Sequence, residues 1–452
     1  MKISKPSLKR YIDAKFIGYL KNAYADEEKL DQEELFNRLM GQVSRNEYSP
    51  SLPKLLIDYN KGFGVCRPVP VLAPLDYFIF YYCIRRLEKV LAVNRVEGTF
   101  GGWRLGGNIQ HKENAEAVES DGSPGSGLNP AAFAQKYGEF NSRIKSFLNA
   151  APEDVKILEI DVANFYDSIR VDRLQNQVRS ASSKAQLPVV DLLFFFLASC
   201  NRLLFAYRPQ STGIPQDVVS DCSRLLANFY LQDYDKKIYA YCRKYHIKYL
   251  RFADDQLFFI PANVSEDRVC KEASRVLYGL GLNINQKKTK VWTKNEITRY
   301  RCLKIFDILA LKKTNQQQTT DDCNKFARAT IKAIQQHKAG KLEIQNAGGS
   351  LLKKCIGLGL NKINKKVRKQ LMELILDSSS LRYMKSYNLA KIYKSLNVND
   401  KRLFIIKLDT MCSEEIHAAF IYEVMLFKRG IGLNWKRHGL KITRMTKEWV
   451  SA

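Results

Sequence analysis

The sequence predicts an α+β protein that ends in an all-helical region. Three observations carry this reading. Residues 151–305 alternate strand-like with helix-like runs, residues from about 320 onward repeat apolar side chains at helical spacing, and residues 1–50 are polar with a helical pattern. At roughly 100–200 residues per domain, the 452 residues allow two or three domains. The expected boundaries are a helical extension over 1–50, a mixed domain over 51–306 and a helical region over 307–452.

The elements follow in chain order. DEEKLDQEELFNRLM is the clearest amphipathic stretch of the first fifty residues. Residues 51–100 mix short strands with a long apolar helix, LDYFIFYYCIRRLEKVLAV. VESDGSPGSGL, at 118–128, is built from turn-forming residues and predicts a loop. KILEI predicts a strand that delivers Asp161 at its end, and NFYDSI turns away into a helix. VVDLLFFFLASC, at 189–200, predicts a buried helix. A bilayer span takes about 20 apolar residues; this run is shorter and Asp191 interrupts it. RFADDQLFFI, at 251–260, predicts two strands with ADDQ as the turn. Beyond 320, CNKFARATIKAIQQHKAG, KKVRKQLMELILDSSS and EEIHAAFIYEVMLFKRG each carry helical spacing.

Composition narrows the partners. Hydrophobic residues make up 45% of the chain, enough for a sizeable core. Lys plus Arg number 73 against 46 Asp plus Glu, a net +27, which implies a polyanionic partner. The opening MKISKPSLKRYIDAKFIGYL has no apolar run of signal-peptide length. With no spanning segment either, the expected partner is nucleic acid rather than membrane. Residues 321–452 alone hold 26 Lys plus Arg against 11 Asp plus Glu. Their densest clusters are KINKKVRK, with Lys362, Lys365, Lys366, Arg368 and Lys369, and NWKRHGLKITRMTK, with Trp435, Lys436 and Arg437. Cations interleaved with an aromatic ring suit phosphate contacts and base stacking. Ten cysteines without C-x-x-C spacing and five scattered histidines outline neither a zinc knuckle nor a disulfide framework. A reducing, cytoplasmic setting follows, with cysteines as small core residues.

Asp161, Asp254 and Asp255 carry the chemistry. Paired aspartates in a turn also cap backbone amides, and an aspartate at a strand end also caps a helix. Read together, they supply what nucleotidyl transfer needs: two divalent ions about 3.5–4 Å apart, held by carboxylates on rigid elements. Two carboxylates 4 Å apart repel by about 4 kcal/mol at an effective dielectric of 20, so such a cluster persists where cations bind it.

DVANFYDSI resembles motif A of reverse transcriptases, and FADD resembles their motif C. GVCRPVPVLAPLDYFIFYYCIRRLE (64–88) resembles the finger motifs, GIPQ (213–216) with SRLLANFYL (223–231) resembles motif B, and GLGLNINQKKTKV (279–291) resembles motif D. RCLKIF, at 301–306, is the candidate primer-grip strand. The resemblance covers roughly residues 55–306. It implies a right-hand polymerase fold, with fingers and palm over 51–306 and a thumb-like, nucleic-acid-binding region over 307–452. It also implies an RNA-directed DNA polymerase with two Mg2+ ions, replaceable by Mn2+, on Asp161, Asp254 and Asp255. Arg67 would hold the incoming triphosphate with Lys61 as helper, and Lys288 would assist the leaving pyrophosphate. Gln216 would line the nucleotide site, and Tyr166 would be the steric gate that favours dNTPs. RNA template and DNA product complete the implied partners, and an oligomer is compatible with all of this.

The finer spelling resembles one branch. EGTFGGWRLGGN (97–108) and AFAQKYGEFNSRIKSFL are similar to the Abi-type and unknown-group reverse transcriptases of bacterial phage defence. Those enzymes continue into helical regions, and some copy an associated non-coding RNA while others are protein-primed or untemplated. The Val-Thr-Gly signature of retrons and the Cys/His endonuclease module of intron enzymes have no counterpart here, nor is there the acidic quartet of a ribonuclease H domain. An intron-like or retron-like enzyme is the alternative, and a retired RNA-binding scaffold or toxin is the alternative of another class. Motif B departs from its usual form, with Asp217 where a glycine is expected after Gln216.

Overall fold

A computed structural model of the chain describes residues 3–12, 14–24, 31–60, 66–92, 95–102, 105, 130–204, 213–216, 221–310 and 319–451. The chain forms two compact units, one from Met1–Ile57, Arg67–Val291 and Thr443–Ala452, the other from Asp58–Cys66 and Trp292–Ile442.

A two-stranded sheet pairs β1 (Leu55–Asn60) with β2 (Cys66–Val71). Pro68 and Pro70 sit in β2, where a two-stranded ribbon leaves an outer edge that needs no ladder N–H. The main sheet has five strands: β3 (Thr99–Phe100), β4 (Lys156–Ile160), β5 (Lys248–Phe252), β6 (Asp255–Ile260) and β7 (Lys290–Thr293), in the order β3-β5-β6-β4-β7. β6 is antiparallel to both β4 and β5, and β3 runs parallel to β5.

Helices cover both faces of this sheet, which explains why LFFI is apolar without alternation. On one face, the helix Pro130–Ala150 sets Phe140 against Phe252 at 5.6 Å and Phe147 against Phe259 at 5.4 Å. On the other, the helix Gln232–Lys244 directs the Tyr234 hydroxyl to Gln256, which is fully buried. The helix Pro74–Leu91 is enclosed around its circumference over its first half, where the sequence is almost wholly apolar. Residues Asp76–Ile84 are all buried, and the helix packs on Leu187–Leu204, with Phe80 and Phe196 rings 5.1 Å apart. The first segment forms the helices Lys5–Tyr11, Ala14–Ala23 and Gln32–Ser44, the last capped by Asp31.

The second unit contains only helices and short turns after residue 293 among the described residues. The sequence RCLKIF is not a strand. Cys302 takes a left-handed turn (φ 53°), the helix Leu303–Ala310 follows, and Phe306 packs 5.8 Å from Phe326 of the helix Thr320–Lys338. Apolar residues at 303, 306 and 309 serve one helix face, a spacing that overrides the strand reading. Among the described residues, no helix is long and apolar enough to cross a membrane.

Candidate active site

The carboxylates gather at one end of the main sheet. β4 pairs with β6 up to Ile160 opposite Gln256, so the next step of the register sets Asp161 across from Asp255. The β5–β6 hairpin closes through only two residues, Ala253 and Asp254, because Asp255 and Gln256 already belong to β6. The tightness has a conformational cost: Ala253 sits at φ 54°, a left-handed backbone that disfavours a side chain by about 1–3 kcal/mol.

Buried polar contacts hold that strained turn. Arg251, 1% exposed, donates from Nη1 to the Ala253 carbonyl at 2.7 Å and to Asn228 Oδ1 at 2.9 Å. Its other edge is bidentate to Asp235, with Nε to Oδ1 at 2.8 Å and Nη2 to Oδ2 at 2.5 Å. Ala253 N–H donates to Phe100 of β3, and Gly102 (φ 59°) lies so near Asn228 that a Cβ there would stand 2.8 Å from its side chain. Arg251 and Asp235 carry no sequence signal as site residues, since nothing local marks them as buried together with Asn228 of the motif B segment.

Asp161 is buried and doubly held: Lys288 Nζ donates to its Oδ1 at 3.1 Å, and Asn285 Nδ2 to its Oδ2 at 3.1 Å. The Asn285 N–H also donates to the Asp161 carbonyl at 2.8 Å, so the segment carrying Lys288 is tied to the end of β4. Burial, reinforced by the Asp161 charge, pushes the Asp254 carboxyl above its ordinary range, while Lys288 and Arg67 oppose that push. Two carboxylates and two cations therefore converge. Arg67, on β2, is steadied by Gln216 through Nη1 to Oε1 at 3.2 Å. Gln216 follows Gly213, whose φ of 92° suits glycine and whose N–H donates to the Ile169 carbonyl at 2.7 Å. Ile214 N–H then donates to the Tyr166 carbonyl, which joins the GIPQ segment to the short helix Phe165–Ser168.

Tyr166 is half-buried on that helix. Burial pushes its phenol up to about 12, with Arg224, Asp254 and Asp221 as its charged neighbours. Asp161, Asp254, Lys288, Arg67, Gln216 and Tyr166 thus form one connected group in the first unit, and Asp255 adjoins it at the start of β6. Lys61, Asp217 and the loop 118–128 lie outside the described residues.

The C-terminal candidates lie in the second unit. Lys365, Lys366 and Lys369 are exposed on the helix Lys365–Ile375, whose buried face is Val367, Leu371 and Ile375, and Lys362 and Arg368 are half-buried. None of these five cations has an ion-pair partner among the described residues. Trp435 is half-buried with the Arg429 guanidinium 5.1 Å from its ring centre, so one ring face is taken, while Lys436 and Arg437 are exposed.

The family model for reverse transcriptase (RNA-dependent DNA polymerase) matches residues 100–340, more than half of the chain. The chain belongs to the reverse transcriptase family. It is an RNA-directed DNA polymerase, and the matched span contains Asp161, Tyr166, Gln216, Asp254, Asp255 and Lys288. No curated protein matches this reverse transcriptase in sequence. Among solved structures, apo telomerase from Candida tropicalis is similar at 11% identity and a TM-score of 0.38, over 93% of this chain and 73% of that one. Telomerase from Candida albicans in complex with a TWJ fragment of telomeric RNA is similar at 10% identity and a TM-score of 0.33, over 82% and 70% of the two chains. Both likenesses are too distant to bear on function.

Proposed function

We propose that this reverse transcriptase extends DNA with divalent cations held by Asp161, Asp254 and Asp255, on a structured non-coding RNA, in bacterial defence against phage. The observation that carries the catalytic part is the sheet register that brings Asp161 beside the Asp254–Asp255 turn, with Lys288 Nζ on Asp161 Oδ1. Asp161 is buried and Asp254 half-buried beside it, and two carboxylates so placed repel each other unless cations stand between them. The donor set suits hard cations: carboxylate oxygens on strand ends, with the Lys288 ammonium now standing against Asp161 as a cation would. Magnesium bound there would activate the primer 3′-hydroxyl and stabilise the leaving phosphates.

The surrounding residues take roles that follow from where they point. Arg67, steadied by Gln216, would bind the triphosphate. Lys288, exposed beyond its contact with Asp161, is free to swing to a phosphate oxygen. The Tyr166 ring, fixed by burial, would press on the sugar and exclude a 2′-hydroxyl. We assign fingers and palm to 51–306, a thumb-like region to 307–452 and a helical extension to 1–50.

The RNA part rests on the five unpaired cations around the helix Lys365–Ile375. Its first turn holds Lys365 and Lys366 and no acidic residue. Cations at a helix N-terminus oppose the macrodipole, an arrangement that an anion relieves. The defence role rests on the resemblance of EGTFGGWRLGGN and the helical region beyond the palm to Abi-type and unknown-group enzymes.

The test uses the protein with whatever nucleic acid co-purifies. Magnesium and labelled dNTPs should yield DNA complementary to one bound RNA, and cells expressing the wild type, not Asp254→Ala, should resist phage. DNA unrelated to any bound RNA would contradict the templated reading, and equal phage sensitivity of both strains would contradict the defence role.

A further inference from the structure

Away from the polymerase carboxylates, the second unit brings a residue late in the chain against two from the first sheet. Asp58 lies on β1, Cys66 opens β2, and His417 immediately precedes the helix Ala418–Gly430. The His417 Nδ1 stands 3.1 Å from Asp58 Oδ2, the Cys66 Sγ 3.6 Å from His417 Nδ1, and the Cys66 Sγ 3.8 Å from Asp58 Oδ2. Zinc binds thiolate at about 2.3 Å and imidazole or carboxylate at about 2.0–2.2 Å, so tetrahedral coordination sets such atoms roughly 3.3–3.6 Å apart. The observed triangle brackets that spacing.

We propose that Asp58, Cys66 and His417 form a zinc site. Charge supports it. Asp58 and His417 are 3% and 6% exposed, so an ionised Asp58 needs a countercharge inside the protein. An imidazolium could supply one through Nδ1, but its second N–H, on Nε2, is buried with no partner. Burying a charged, unsatisfied donor costs more than burying a neutral one. Zinc leaves that Nε2–H in place but takes the charge off the ring: one divalent cation, one carboxylate, one thiolate and a neutral imidazole sum to zero.

The supporting contacts also suit a metal site, whose ligands need to be aimed by their neighbours. Asp58 Oδ1 accepts the Ala418 N–H at 2.6 Å, which leaves Oδ2 turned to the cluster. Glu415 Oε1 accepts the N–H of Ile416 at 3.1 Å and of His417 at 3.3 Å, and Arg382 Nε holds Glu415 Oε2 at 2.9 Å. Thiolate with imidazole selects zinc over magnesium or calcium. The residues between Asp58 and Cys66 carry no further metal-ligating side chain (YNKGFGV). Among the described residues no fourth His, Cys or carboxylate joins the three, so water would complete the set.

The test is metal analysis of the full-length protein purified with zinc and desalted. The wild type and Asp254→Asn should each hold one zinc per chain, and Cys66→Ser should hold none. Cobalt in place of zinc should give tetrahedral visible absorption and a sulfur-to-cobalt charge-transfer band, absent from Cys66→Ser. The cobalt spectrum of the wild type needs no variant to fold. A zinc-free wild type without that band, or a Cys66→Ser protein that keeps its zinc, would overturn the site.

Discussion

Arg251 shows how the reach of one side chain can decide a site. It joins the Ala253 carbonyl, Asn228 and Asp235, all in the interior around the Asp254 turn. Removing one partner of a buried ion pair costs about 3–5 kcal/mol. Arg251→Met should therefore destabilise the protein by that amount in denaturant melts and abolish DNA synthesis. Asp235→Asn should fall in the same direction, and a stable, fully active Arg251→Met would remove Arg251 from the support of the turn. Tyr166 makes a separate forecast. Tyr166→Val should let NTPs compete with dNTPs, measured as the ratio of incorporation efficiencies; an unchanged ratio would make the ring a packing residue. Asp161, Asp254 and Lys288 were legible because the motif spelling marks them. Arg251 was not, because an arginine on a strand looks like a surface cation until the fold encloses it. The gathering of Asp58, Cys66 and His417 was invisible for the same reason, being long-range contacts with no local pattern.

At the scale of elements, local patterns were read well where periodicity was long and unbroken. The strand that carries Asp161, the hairpin around Asp254 and the apolar helix before residue 91 all formed as their spacing suggested. The hairpin turn proved tighter than ADDQ, since a twisted two-strand ribbon prefers a two-residue loop. RCLKIF misled because six residues hold too little of either period to discriminate. The entry to the helix Pro74–Leu91 makes a pH forecast. Asp76 accepts from the Tyr48 hydroxyl at 2.8 Å and the Ser51 N–H at 3.0 Å, yet burial pushes its carboxyl up to about 6. A carboxyl raised in the folded state binds its proton more tightly there than in the unfolded chain, where it titrates near 4. Its contribution is thus full below about pH 4 and is lost as pH rises to about 6. Thermal melts of wild type minus Asp76→Asn should show that decline across this window; a difference independent of pH would contradict it. The helix Lys365–Ile375 is tested by salt. Replacing Lys362, Lys365, Lys366, Arg368 and Lys369 with Gln should weaken RNA binding and lower the log–log salt slope by about 3.5–4.5, at 0.7–0.9 per phosphate contact. Superimposable curves would move the RNA site elsewhere.

The whole molecule combines a net charge of +27 with a partly buried acidic cluster, an inverse arrangement that suits a polyanion outside and divalent cations at the cluster. The charge was legible in composition alone, and the cluster in motif order. The central claim is that Asp161 and Asp254 act as one catalytic unit. Groups that act as a unit lose nearly everything when any one is removed, so their effects are far from additive. The direct measurement is single-nucleotide incorporation by wild type, Asp161→Asn, Asp254→Asn and the double variant, each checked for a native melt. The account predicts that all three variants lose at least about a thousand-fold in rate, and that the double is hardly worse than either single. A single variant within tenfold of wild type, or two losses that simply multiply in the double, would contradict it.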